Sequence, residues 1–382
     1  MQAPSTDPAT GRPLRILQVL RAPVGGLFRH VADLTRDLAA RGHEVGVVVD
    51  ALSSDGLSAQ RLAALGPSAS LGVHRLPMPR VLGPGDLTAP LRLRRLATQL
   101  GIDVLHGHGA KGGLHARLAR GERRVAIYTP HGGVLHFSPR SPSGVLFTGI
   151  ERALLSRTDT IVFESNFARA AYEQQIAVPR CPVVVVHNGV TAAEFDPIEL
   201  APDAADFVFV GELRDLKGIF VLVDALSRLP PTTRLVMAGD GPARAELEAR
   251  IATLGLGDRV ALAGAQPARA MFARGRCVVV PSLAESLPYI VLEAGAAGRP
   301  LLATRVGGVA EIFGQLAPRL LPAGDAGALA AAMARFLEDP SPALAEAETR
   351  RAYIEAEFSV TTMTDGIERV YRSTLAASRT RG

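Results

Sequence analysis

Short runs rich in Val, Ile and Leu alternate with helix-period patterns along almost the whole chain, and the series restarts near residue 190. In the first series the strand candidates are Arg15 to Leu20, Val45 to Val49, Val104 to His106, Ala126 to Tyr128, Thr160 to Phe163 and Val183 to Val186. In the second they are Phe207 to Val210, Arg234 to Ala238, Val260 to Ala263, Val278 to Pro281 and Leu301 to Thr304. Strands that are apolar throughout need cover on both faces, which means parallel sheets with helices on either side. Two such series give two doubly wound α/β domains.

The helical patterns carry their own boundaries. Phe28, Val31, Leu34 and Leu38 give one buried stripe over Leu27 to Arg41, and Gly42 stops it. In the second half, Val221 to Leu229, Ala243 to Leu254, Ser286 to Ala297 and Ala326 to Leu337 read as helices. A last helix spans about Val360 to Ser378, with Met363, Ile367, Val370 and Tyr371 on one face. The polar stretch Thr191 to Asp206, with two prolines and no periodicity, reads as the join. The expected organisation is a loose tail over 1–13, an acceptor-side domain over 14–190, a donor-nucleotide domain over 191–356, and a terminal helix over 357–382 that packs on the first domain.

Composition excludes several classes. With 47% hydrophobic and 21% charged residues, the 382-residue chain can bury two cores and is not globally disordered. Two cysteines, Cys181 and Cys277, cannot make a disulfide framework and read as buried thiols of a reducing cytoplasm. Residues 1–13 lack the apolar core of a signal peptide, and no stretch approaches 18 uninterrupted apolar residues. The net charge is +5 and almost all cations are arginine; only Lys111 and Lys217 are lysine, and each precedes a glycine. A basic, Arg-rich surface suits anionic partners.

Five segments carry candidate chemistry. The first strand runs into Pro23-Val24-Gly25-Gly26 and then a helix, which is either a tight turn or a phosphate cradle. It is not the G-x-G-x-x-G dinucleotide fingerprint, so a nicotinamide oxidoreductase is disfavoured. Thr129-Pro130-His131-Gly132-Gly133 follows an inner strand, and His131 there is either structural or a hydrogen-bond donor to a sugar or phosphate oxygen. His106, His108 and His115 lie near Lys111 but match no metal-ligand spacing, and zinc is not expected.

Gly211 to Gly218 places Lys217 near a helix start, where it is either a solvated turn lysine or a point charge for a diphosphate. Asp240, in Ala238-Gly239-Asp240-Gly241-Pro242, is expected to cap the helix that Pro242 begins. The strongest signal runs from Pro281 to Ala294. Glu285 lies in a loop after a buried strand, Pro288 marks a helix's first turn, and Glu293 sits among Ile290, Val291, Leu292 and Ala294. A carboxylate in so apolar a helix needs a partner, and a ribose diol would serve. Glu285 would meet the sugar end of the same ligand, with backbone N–H groups at Ser286 and Leu287 taking the phosphates between.

Taken together, these pieces resemble glycosyltransferase family 4, over essentially the whole chain from Arg15. The resemblance is carried by Gly25-Gly26, Thr129-Pro130-His131-Gly132, Phe163-Glu164-Ser165, Asn188-Gly189-Val190, Lys217-Gly218, Ala238 to Pro242 and the Glu285/Glu293 pair. It implies the GT-B fold: two Rossmann-like domains facing across a cleft, with the C-terminal helix crossing back to the first domain. It also implies a retaining, metal-independent transferase of the hexosyltransferase type with no cofactor. Glu285 would bind donor sugar hydroxyls, Glu293 the ribose and Lys217 the phosphates, with His131 near the anomeric centre and Gly25-Gly26 near the diphosphate. The sequence has no D-x-D pair, in keeping with a metal-free site. One departure is Glu212, where the family usually has Arg; Arg214, two residues on, is expected to supply that charge. Thr191 stands where the family often has an acid.

The expected partners are a nucleotide-sugar donor and a glycan or lipid-linked acceptor, in envelope or exopolysaccharide synthesis, with no nucleic acid. Arg75, Arg80, Arg92, Arg94, Arg95 and the segment Leu135 to Leu155 are expected to approach anionic lipid, which would put a cytoplasmic protein at the inner face of the membrane. A nucleotide-sugar epimerase of the same architecture, or a non-catalytic nucleotide-sugar binder, are the alternatives.

Overall fold

The computed structural model describes residues 12–51, 56–79, 83, 85–132 and 141–380. The expectations for residues 1–11, for Arg80, and for Gly133 and Leu135 to Arg140 therefore fall outside the described residues. The chain divides into two units: residues up to Val186 together with those from Met363 onward, and His187–Thr362.

The first unit is built on seven strands, β1 (Arg15–Val19), β2 (Glu44–Asp50), β3 (Val73–Leu76), β4 (Val104–His108), β5 (Val125–Thr129), β6 (Thr160–Phe163) and β7 (Val183–Val185). They pair in the order β3-β2-β1-β4-β5-β6-β7, every pair parallel. Helices α1 (Gly25–Ala40), α2 (Gly56–Leu65), α3 (Gly85–Gln99), α4 (Gly109–Ala119), α5 (Pro142–Leu154) and α6 (Asn166–Gln175) connect them. The stripe on α1 is buried as its spacing predicts: Phe28, Val31, Leu34 and Leu38 are all in the core. Ser165 caps α6, its Oγ accepting from Ala168 N at 3.0 Å.

The second unit carries β8 (Ala205–Val210), β9 (Leu235–Ala238), β10 (Val260–Leu262), β11 (Gly275–Val280) and β12 (Leu301–Ala303), again all parallel, in the order β10-β9-β8-β11-β12. Alternation along β8 shows why these strands are apolar throughout. Phe207 and Phe209 enter one core, with Leu235, Met237, Cys277 and Val279. Val208 enters the other, with Val236, Val278 and Val280. Each such side chain contributes roughly 1.5–3 kcal/mol when fully buried. The covering helices are α7 (Ile219–Leu226), α8 (Arg244–Thr253), α9 (Ala268–Phe272), α10 (Tyr289–Ala296), α11 (Val309–Phe313), α12 (Ala326–Glu338) and α13 (Ser341–Glu357).

A last helix, α14 (Val360–Arg379), returns the chain to the first unit. Met363, Ile367, Val370 and Tyr371 are buried along it, as expected. Among the described residues no helix is long and apolar enough to cross a membrane.

Four local expectations are corrected. The α10 helix begins at Tyr289 rather than Ser286, so Pro288 lies just before it and Ser286 and Leu287 are loop residues. Asp240 does not cap α8, whose N-cap is Ala243; its carboxylate accepts instead from Gly241 N at 2.8 Å. The α1 helix begins at Gly25, so Gly25 and Gly26 form its first turn rather than a loop before it. The stretch 191–206 is no unstructured join: it holds a 3-10 turn at Ala192–Phe195 and lies inside the second unit.

Candidate active site

In open parallel sheets, ligands bind beyond the carboxyl ends of the strands where the strand order reverses. In the second unit that point lies between β8 and β11. The loops leaving these strands carry Lys217 and Glu285, and the structure brings the two together. Lys217 Nζ donates to Glu285 Oε1 at 2.6 Å, and Ser282 Oγ donates to the same oxygen at 2.7 Å. The Glu285 side chain is only 9% exposed, whereas Lys217 is 28% exposed. Glu285 Oε2 has no hydrogen-bond partner among the described residues. The carboxylate is therefore held by one edge and offers the other.

Backbone contacts fix this arrangement. Leu283 N donates to Leu216 O at 2.9 Å, which ties the two loops together. Gly218 follows Lys217 with φ +68, and a Cβ there would lie 1.9 Å from Pro281 O. Only glycine satisfies both the left-handed turn and the close approach. The same holds for Gly307, after β12, where φ is +54 and a Cβ would lie 2.0 Å from Glu285 O. Gly308 N donates to Ser286 O at 2.6 Å, and Asn188 Nδ2 donates to Leu287 O at 3.3 Å. Sequence reading missed Gly307 and Gly308; a glycine pair separated by three residues from the end of a short strand was the available signal.

Arg214 does not join this pair. Its guanidinium lies 3.4 Å from Glu212 Oε2, and both side chains are about half exposed. Glu293 is half-buried on α10 and lines a cavity of about 230 Å³ with Arg269, Phe272, Pro267 and Glu194. Glu285 is not among the residues lining that cavity.

In the first unit the order reverses between β1 and β4. Here His131 follows β5 with a left-handed backbone, φ 49, rare for a residue with a Cβ. His108 ends β4, and its Nδ1 lies 3.0 Å from His131 Nε2. A chain of hydrogen bonds fixes the tautomers. Gln18 Nε2 donates to Tyr371 Oη at 3.3 Å, so Tyr371 donates to His106 Nδ1 at 2.7 Å and His106 Nε2 donates to Thr129 Oγ1 at 2.8 Å. Gln18 Oε1 then accepts from His108 Nε2 at 2.7 Å, which leaves His131 Nε2 to donate to His108 Nδ1.

Burial holds His106, His108 and His131 well below the usual histidine range, and neighbouring imidazoles push them further down. His131 is thus a neutral group at pH 7, able to orient a hydroxyl but not to neutralise a phosphate. His30, from α1, completes a ring of imidazoles with His108 and His131. That grouping differs from the expected His106, His108 and His115. His115 sits instead 3.2 Å from Asp86, beside Lys111. Lys111 lies inside α4, buried, and donates to both Asp86 oxygens at 2.7 Å.

Comparison with known proteins agrees with this layout. The family model described as Glycosyltransferase Family 4 matches residues 24–194, and that described as Glycosyl transferases group 1 matches residues 191–358. The 2-deoxystreptamine glucosyltransferase of Streptomyces kanamyceticus is 36% identical over 256 residues, covering 62% of this chain and 65% of that protein, so the match spans just under two thirds of that relative. The D-inositol 3-phosphate glycosyltransferase of Acidothermus cellulolyticus is 30% identical over 402 residues, covering 93% of this chain and 87% of that protein. Among solved structures, Anabaena HepE in complex with UDP is similar with a TM-score of 0.76 at 20% identity, covering 95% of this chain and 100% of that chain. At that identity the likeness is one of fold.

Proposed function

Because the chain belongs to glycosyltransferase family 4, with the α/β architecture of the GT-B fold, we propose that it moves a sugar from a nucleoside-diphosphate sugar to a glycan or lipid-linked acceptor. The proposal includes retention of configuration, no metal requirement and a place in envelope or exopolysaccharide synthesis. The observation that carries it is the Lys217–Glu285 pair at the β8/β11 reversal. Lys217 supplies a compact positive charge for the departing diphosphate. Glu285 offers its second oxygen to the donor sugar's hydroxyls. Glu293, in its cavity of about 230 Å³, takes the ribose. The UDP bound in the HepE crystal structure supports the donor class.

The remaining roles follow the same logic. Backbone groups at Ser286 and Leu287 face the phosphates, and Arg214 turns from Glu212 to the donor to supply the second cation. In the first unit, Gly25 and Gly26 offer helix-end N–H groups to the diphosphate, and neutral His131 orients the reacting sugar. In the transfer, the acceptor oxygen bonds the anomeric carbon as the bond to phosphate oxygen breaks. The diphosphate leaves with that electron pair, and the acceptor's proton passes to it.

Thermal shift with a panel of nucleotides and nucleotide sugars tests donor binding. A ligand at 100 times its dissociation constant stabilises by about 2.7 kcal/mol. Diphosphate release with the best donor and added acceptors then tests transfer. A donor converted without acceptor would make the protein an epimerase, and one bound but never turned over would make it a binder.

We also propose salt-sensitive contact with anionic lipid from the cytoplasmic side. Arg92, Arg94 and Arg95 are exposed on α3, and Val145 and Leu146 are exposed by 61% and 53% on α5. Liposomes rich in anionic lipid should retain the protein at low salt and release it at high salt. Absence of retention at low salt overturns this.

A further inference from the structure

We propose that His30, His108 and His131 form a binding site for a transition-metal cation of the zinc class. The three come from separate elements: α1, the end of β4 and the segment after β5. Their ring centres form a triangle of 4.8, 5.3 and 5.5 Å. A zinc–nitrogen bond of about 2.0–2.1 Å puts each ring centre roughly 3.2 Å from the metal, so tetrahedral angles space three rings about 5.2 Å apart. The observed triangle brackets that spacing on every side.

The nitrogens agree with the rings. One nitrogen from each imidazole lies within 4.8 Å of the other two. Two nitrogens on one tetrahedral zinc are about 3.4 Å apart, and His108 Nδ1 and His131 Nε2 already stand 3.0 Å apart. The proton between them occupies the place a cation would take. On binding, that proton moves to the other nitrogen of the His131 ring and both facing lone pairs turn to the metal.

The surroundings supply what a histidine ligand requires. A metal-bound imidazole commonly donates its other N–H to an oxygen acceptor, which fixes its orientation. His108 does this already, through Nε2 to Gln18 Oε1 at 2.7 Å, and Gln18 is itself held by Tyr371. His106 is excluded although its ring lies 4.0 Å from that of His108, because Tyr371 and Thr129 take both its nitrogens. Three imidazoles suit zinc, copper or nickel rather than magnesium or calcium.

One consequence rests on the role proposed above for His131. A cation held there engages the imidazole that orients the sugar, so zinc inhibits transfer. Metal binding itself does not depend on that role.

The test uses the full chain, stripped of metal, dialysed against zinc and analysed for bound metal, with cobalt substitution read by absorption. One zinc per chain, an intense tetrahedral cobalt band and no competition from magnesium are expected. Gln18→Leu should weaken binding roughly 10- to 100-fold, His30→Gln and His108→Gln more, and His187→Gln not at all. No retained zinc, equal retention by His30→Gln and His108→Gln, or a weak octahedral cobalt band overturns the site. The cobalt spectrum of the unaltered chain decides the matter even where a variant does not fold. Zinc that binds at these histidines without slowing transfer upholds the site and removes His131 from the proposed reaction.

Discussion

Lys217 and Glu285, which sequence reasoning assigned to the phosphates and to the sugar of one ligand, are joined by a hydrogen bond of 2.6 Å between their charged groups. The pair is a resting arrangement in which each group holds the other in place. Because the Glu285 side chain is only 9% exposed and that of Lys217 28%, removing the cation leaves a largely buried carboxylate held by Ser282 alone. Lys217→Met should therefore lower the melting temperature and also lower donor turnover, the latter on the order of 10²–10³-fold. Glu285→Gln should raise the donor KM and lower kcat together. Steady-state kinetics and calorimetry on both variants measure this, and a Lys217→Met enzyme with normal turnover would remove the cation from the reaction.

Gly218→Ala should be far more disruptive than its size suggests. The left-handed backbone alone costs roughly 1–2 kcal/mol with a Cβ, and the methyl would lie 1.9 Å from Pro281 O. The two loops must part, taking Lys217 from Glu285, so both stability and donor affinity should fall. Gly257→Ala, with nothing within 4 Å of its Cβ, is the matched control. Equal melting temperatures for the two variants would contradict the packing described.

Arg117 and Glu151 form a bidentate pair at 2.8 Å, with side chains 0% and 3% exposed. Tyr172 Oη also donates to Glu151, at 2.9 Å, and the guanidinium lies 3.9 Å over the Tyr128 ring. Removing one partner strands a buried charge, so Glu151→Leu should cost about 3–5 kcal/mol. The double variant Arg117→Met/Glu151→Leu should recover most of that loss. Denaturant unfolding of the three variants checks the order, and a double variant no better than the single would show that the ion pair itself stabilises the unit.

The protein should lose stability as pH falls below 6.5. His115 is pushed down to about 4, because burial outweighs the nearby Asp86 carboxylate and Lys111 adds to the depression. Burial also lowers His43, against the pull of Glu368. A depressed histidine stays neutral in the fold and charges in the unfolded chain. Its contribution is therefore complete above pH 6.5 and lost as pH drops toward 4. For His115 the loss approaches roughly 3 kcal/mol. Melting temperatures from pH 7.5 to 4.5 should fall, and His115→Gln should flatten the curve; an unaltered slope would place the titration elsewhere.

Elements whose residues repeat with a clear period are legible in the amino-acid sequence itself. The buried stripe of α1, the apolar strands around Phe207 and Val278, and the buried face of α14 all lie where periodicity puts them. What escapes has a common cause. The edge strand β3 is only partly buried and shows no apolar run. The α13 helix is rich in charge, and its buried positions include Arg350, which no hydrophobic pattern marks. The Glu285 loop is visible because its signal is local, whereas the imidazole ring is not. His30, His108 and His131 lie on three elements, and only the strand order β1-β4-β5 makes them neighbours.

The return of α14 to the first unit sets a timetable for the nascent chain. Tyr371 bonds Gln18 and His106, partners made 353 and 265 residues earlier. At about 5–20 residues per second, the first sheet waits on the order of ten seconds or more for its final helix. The second unit, continuous from His187 to Thr362, is complete before that helix leaves the ribosome. A chain stopped at Thr362 would thus carry a closed second unit on a first unit still missing its last buried face. Quality control inside a cell would read that chain as unfinished, however intact its second half.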